Sequence, residues 1–173
     1  MILVYFTRTA EDGSAMARCL LDYALARDLR INDAEYGRTD KGKPCILNHP
    51  YVFISITHPS GVVAVAVSDS PVGIDAEAMG EIRPLVLEKM FTEGEKEYVG
   101  DDPLRFFEIW TRKESYVKLT GTGLLRRMDS IDTLTGVEAH YAPIEIEGTV
   151  TTVCSYGRKT VSVREIFEDK LKG

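Results

Sequence analysis

The run FFEIWTRKESYVKLTGTG at residues 106–123 carries the period of one long helix. Phe106, Ile109, Trp110 and Val117 recur at spacings of three, four and seven, which sets them on a single apolar stripe. That stripe calls for apolar side chains at 113 and 114 as well, and the chain puts Lys113 and Glu114 there. Charge facing a core is costly unless it is paired or binds something. Lys118 follows Glu114 by four, so ammonium and carboxylate share one face, a turn apart. A surface ion pair on an amphipathic helix is the plain reading, and a ligand site is the sharper one.

Working outward, Asp101, Asp102 and Pro103 open this helix, and the Gly-Thr-Gly at 121–123 closes it. Residues 83–90 read as a helix, and FTEGE at 91–95 starts another, with Thr92 and Glu95 at the spacing of a capping box. Before that the pattern is β. YVFISITH, VVAVAV and VGIDAE, separated by turn residues, predict three successive strands, the middle one apolar on both faces and so buried. Asp75 and Glu77 lie two apart on the third, so their carboxylates share a face. Like charges so placed are solvated or share a cation, and Mg2+ is a hard cation that takes such oxygens.

Residues 1–7 read as a first strand rather than a leader, and Ser14 is the candidate cap of a helix running to about residue 30. Residues 31–44 predict a loop with one short strand, and LLRRMDSIDTL at 124–134 is a basic-then-acidic connection. VTTVCSY and TVSVREI are β-type runs that complete a sheet.

The chain has 173 residues, 44% apolar and 28% charged, which suits one domain or two small halves sharing a core. No apolar run approaches the ~20 residues a membrane helix needs. Cys19, Cys45 and Cys154 form no metal-ligand spacing, so a reducing, cytoplasmic setting is expected. The net charge of −6 argues against a general nucleic-acid binder.

GKP at 42–44, SITH at 55–58, GIDAE at 73–77, FTEGE at 91–95 and WTRKESYVK at 110–118 occur in the order in which similar segments stand in Sfp-type 4′-phosphopantetheinyl transferases. The chain resembles that family over roughly residues 40–125. Two departures stand out. The usual Asn-Ile-Ser-His reads Ser55-Ile56-Thr57-His58, and the segment before GKP is short, leaving fewer basic residues for a coenzyme phosphate.

The resemblance implies an α+β, pseudo-twofold fold within one domain. Its halves, about 1–68 and 69–173, would each pack a helix on a small antiparallel sheet, with the site in the cleft between them. It implies Mg2+-dependent transfer of the 4′-phosphopantetheine arm of coenzyme A to a serine of an acyl or peptidyl carrier protein, with release of 3′,5′-ADP. Asp75, Glu77 and Glu114 would hold the metal, Lys118 and Lys113 would contact phosphate, and Glu114 or Glu77 would take the serine proton. Lys43, Thr57 and His58 would bind the 3′-phosphate end, with Arg18 a substitute for the missing basic residues. A monomer is expected, with no nucleic-acid or membrane partner. The carrier would dock on residues 78–90 and 124–128, using Arg126, Arg127, Leu85, Leu87 and Met90. The competing expectation is a non-catalytic relative that binds coenzyme A or a carrier without turnover.

Overall fold

Residues 1–123 and 127–171 are described by the computed structural model. β1 (Ile2–Arg8), β4 (Phe53–Thr57), β5 (Val62–Ser68) and β9 (Val161–Glu165) form one sheet in the order β4-β5-β1-β9. β6 (Val72–Ala78), β7 (His140–Ile144) and β8 (Thr149–Ser155) form a second in the order β6-β8-β7. A small hairpin of β2 (Tyr36–Arg38) and β3 (Pro44–Ile46) lies beside the first sheet. α1 (Gly13–Ala24) covers the first sheet, and α4 (Pro103–Thr120) covers the second. The short helices α2 (Pro84–Met90) and α3 (Glu93–Val99) lead into α4. This is the expected α+β arrangement of helix on sheet, made twice.

Alternation along β5 explains how the layers stack. Val63, Val65 and Val67 face α1, where they meet Leu20, Leu21 and Leu25. Val62, Ala64 and Ala66 face the other way, onto Val72, Ile74 and Val153 of the second sheet. The alanines keep that face thin, so the two sheets pack closely. β6 is an edge strand, and its outward amides need partners. Ser55 Oγ accepts from Ile74 N at 3.0 Å, and Thr57 Oγ1 accepts from Ala76 N at 3.1 Å. Two hydroxyls of β4 therefore stitch one half to the other.

Gly73 lets α4 sit directly on β6. A Cβ there would overlap the Ser115 carbonyl and come within 2.7 Å of Leu119 N. Asp102 caps α4, and Gly121 ends it at φ +66°. The Thr92–Glu95 capping box opens α3 as expected.

Several expectations change. Asp12, not Ser14, caps α1, accepting from Ser14 N at 2.7 Å and Ala15 N at 3.1 Å. One π-helical turn then carries the helix to Leu29. Residues 31–44 hold β2 and the start of β3 rather than a single strand. β8 and β9 do not share a sheet: β6 and β7 occupy both edges of β8, so β9 pairs parallel with the free edge of β1, Ile2 opposite Val161. The first sheet is thus mixed rather than antiparallel throughout, and the chain returns to its first half after completing its second. β7 was not expected, because Pro143 interrupts it; an edge strand tolerates that proline.

Candidate active site

Strand β6 and helix α4 pack against each other within the second half, at the edge where β4 of the first half meets β6. Because Gly73 brings them together, Asp75 and Glu77 on the strand meet Glu114 and Lys118 on the helix. Asp75 is 5% exposed; its Oδ1 accepts from Lys118 Nζ at 2.7 Å and from Thr57 Oγ1 at 3.3 Å. Its Oδ2 is buried with no hydrogen-bond partner. Burial pushes the Asp75 carboxyl above the usual carboxylate range, although Lys118 pulls the other way. Glu114 is raised for the same first reason, with the Asp75 and Glu77 charges adding to it and Lys118 opposing. Glu77 is held in place: Oε1 accepts from Trp110 Nε1 at 3.0 Å and Oε2 from Arg83 Nη2 at 3.0 Å.

This arrangement leaves negative charge undercompensated at Asp75 and Glu114, with one orphaned oxygen among them. A hard divalent cation fits that donor set. Glu77, whose two oxygens each accept a single hydrogen bond, keeps a lone pair on each with which to join that set. As the side chains stand, no three of the His, Cys, Asp and Glu among the described residues are gathered closely enough to hold a metal.

Beside the carboxylates, Lys118, Lys41 and Lys43 line a cleft of about 200 Å3 with Ser55 and Ile56. Lys43 is drawn into its wall, donating to Val72 O at 3.1 Å and Leu119 O at 3.2 Å. Burial lowers its pKa to about 8. Farther along, Arg18, Arg38 and His58 line a second hollow of about 520 Å3 with Tyr36 and Ile56.

A family model of the 4′-phosphopantetheinyl transferase superfamily matches residues 71–159, which contain β6, α2, α3, α4, β7 and β8. The chain belongs to this superfamily. Over 126 residues it is 32% identical to the 4′-phosphopantetheinyl transferases ffp of Bacillus subtilis and Sfp of Bacillus subtilis strain 168, 68% of this chain and 54% of each of theirs. The 4′-phosphopantetheinyl transferase psf-1 of Bacillus pumilus is 33% identical over 107 residues, 59% of this chain and 44% of that one. The chain therefore spans about half the length of the curated relatives it matches.

Not every residue expected from the transferase motifs reaches the cleft. Lys113 is fully buried, paired with Glu95 Oε2 at 2.7 Å and donating to the carbonyls of Met128 and Ile131. Its ammonium points into the interior and not into the cleft: the charge that interrupts the apolar stripe is paired internally, because α3 lies against that turn of α4. Thr57 is likewise turned inward, to Asp75 and β6, and away from His58, which is exposed. Leu87 and Met90 pack into the α3–α4 cluster, so of the three apolar docking residues only Leu85 is freely exposed. Arg127 pairs with Asp129, and Arg126 lies outside the described residues.

Three roles were missed from sequence. Trp110 reads as a stripe residue, yet its indole N–H holds Glu77. Arg83 carries no local signal at all. Glu95 reads as a helix cap, but its side chain also takes Lys113 and both donors of Thr133. The signal lay in the stripe itself: a buried lysine at 113 required a buried acid somewhere.

Proposed function

We propose that this chain transfers the 4′-phosphopantetheine arm of coenzyme A to a serine of an acyl or peptidyl carrier protein. The observation that carries this reading is the Asp75–Lys118 pair, with its orphaned oxygen, beside the protonation-prone Glu114 in a lysine-lined cleft. Mg2+ held by Asp75 and Glu114 would supply positive charge against the pyrophosphate.

The chain's own residues do the rest. Lys118 stands between Asp75 and the cleft, placed to meet a phosphate oxygen of the pyrophosphate. Lys41 adds charge at the same opening. Glu114 accepts the proton of the attacking serine, its carboxyl raised above the usual range by burial and the neighbouring Asp75 charge. The serine oxygen bonds to the phosphorus nearer the pantetheine, the bridging P–O bond breaks, and 3′,5′-ADP leaves. Glu77, clamped by Trp110 and Arg83, fixes the strand end instead of taking the proton. His58 and Arg18 face the 3′-phosphate end of the nucleotide. A carrier would approach over the exposed Met79, Arg83 and Leu85, a face that offers both charge and apolar contact. No helix among the described residues is long and apolar enough to cross a membrane. We place the chain in the cytoplasm as a monomer.

The short segment before Gly42-Lys43-Pro44 favours one other reading, a relative that binds coenzyme A without turnover. Transfer of label from a fluorescent coenzyme A to a panel of carrier proteins, with and without Mg2+, separates the two. Labelled carrier that needs Mg2+ supports the enzyme, and tight coenzyme binding without labelling supports the binder.

A further inference from the structure

The hollow beside the carboxylate cleft has a built cationic wall. The Arg18 guanidinium lies over the Tyr36 ring, 3.6 Å from its centroid. Its Nε donates to Asp22 Oδ2 at 3.2 Å, and the Tyr36 hydroxyl donates to Asp22 Oδ1 at 2.7 Å. One carboxylate therefore holds both the arginine and the ring beneath it. Burial and the Asp22 charge push the Tyr36 phenol up, so it stays a donor. Among the described residues nothing takes the two Nη groups of Arg18. They form the flat edge of the guanidinium, the shape that grips two phosphate oxygens at once.

Arg38 is two residues from Tyr36 on β2, so both side chains leave the same face of the strand. It lines the hollow, and among the described residues its guanidinium is engaged through Nη1 alone, on Gly42 O at 2.8 Å. His58 closes the far side against Gly13, where a Cβ would stand 2.9 Å from its own. Asp12, an acid close enough to feel its charge, caps α1.

We propose that Asp22 and Tyr36 are positioning residues that preset the Arg18 guanidinium to receive a phosphate monoester, with Arg38 a second cation in the same hollow. This rests on the coenzyme A reading, where the monoester is the 3′-phosphate. The short segment before β3 is then offset by bracing one arginine and setting a second beside it in the same hollow.

Calorimetric titration with 3′,5′-ADP and 5′-AMP, which differ only in that phosphate, tests the proposal without a carrier or turnover. The wild-type chain prefers 3′,5′-ADP. Arg18→Gln loses about 10- to 100-fold for 3′,5′-ADP and little for 5′-AMP. Tyr36→Leu, Asp22→Asn and Arg38→Gln each lose about 3- to 10-fold with the same selectivity. Tyr36→Phe, which keeps the ring, loses less than Tyr36→Leu and stands in should the latter not fold. The Tyr36 and Asp22 losses vanish in an Arg18→Gln background, because their effect passes through that arginine. Losses that persist there, or that fall equally on both nucleotides, overturn the bracing. A wild-type chain that binds coenzyme A but does not distinguish the two nucleotides overturns the inference and leaves the transferase reading standing. One that binds neither coenzyme A nor 3′,5′-ADP overturns both.

Discussion

Glu114→Gln separates two consequences of a single charge. The carboxyl is raised by burial and by Asp75 and Glu77, so the fold favours its protonated form. An acid whose folded pKa is raised costs stability once pH passes its unfolded value, because the unfolded chain then ionises more readily. The amide removes that cost. Thermal melts should therefore show Glu114→Gln more stable than wild type at pH 8 and little different near pH 4, while carrier labelling falls by ~100-fold or more. A variant less stable at pH 8 would mean that Glu114 is already neutralised by a partner. Asp75→Ala makes the complementary test: labelling should drop by ~100-fold or more with the melt still cooperative, and added Mg2+ should not restore it. Sequence reasoning reached this neighbourhood through the spacings 75/77 and 114/118. It could not tell Lys113 from Glu114, adjacent residues that both break one stripe, because their separation depends on what α3 presents to each.

Between elements, the decisive contacts are backbone approach and one interior ion pair. Gly73→Ala drives a methyl into the Ser115 carbonyl, so α4 must lift from β6. Overpacking of this kind costs about 1–3 kcal/mol or more, and the lifted helix should cost activity beyond the stability loss. A melting temperature and a labelling rate both equal to wild type would show that the two elements slide freely. Lys113→Met leaves Glu95 as a buried charge, a change that typically costs about 3–5 kcal/mol. Three donors remain on Glu95, from Thr92 and Thr133, so the lower end is expected, read from urea melts. Elements with strong local signals were legible in the sequence: α4 from its period, cap and glycine stop, α3 from its capping box, β5 from its double-faced apolar run. Strand partners were not. VTTVCSY and TVSVREI look alike locally, and what divides them is that β8 has both edges filled. β7 hid behind Pro143, which an edge strand accepts but a local pattern reads as a break.

Across the whole molecule, the two halves are joined by side chains that belong to neither core. Ser55 and Thr57 cap the β6 edge, and Lys43 ties the hairpin to the beginning of β6 and the end of α4 through Val72 O and Leu119 O. The ammonium gives up hydration to make that tie, and burial lowers its pKa from the ordinary 10.5 to about 8. A base whose folded pKa is lowered binds fewer protons folded than unfolded between those two values, so its contribution to stability rises with pH across that window. The neutral amine still has two hydrogens, one for each carbonyl, so losing the charge does not undo the seam. Alkaline titration will also stress an acidic chain of net charge −6, which is why the comparison must be with a variant carrying the same background. Lys43→Met keeps the length of the side chain and removes both donors. The stability gap between wild type and Lys43→Met, from urea melts, should widen in favour of wild type from pH 8 to pH 10. The widening should be at most about 3 kcal/mol, less what solvent in the cleft screens. A gap that is constant across those pH values would mean that Lys43 keeps its proton throughout, with its charge free to serve a phosphate in the cleft rather than the seam.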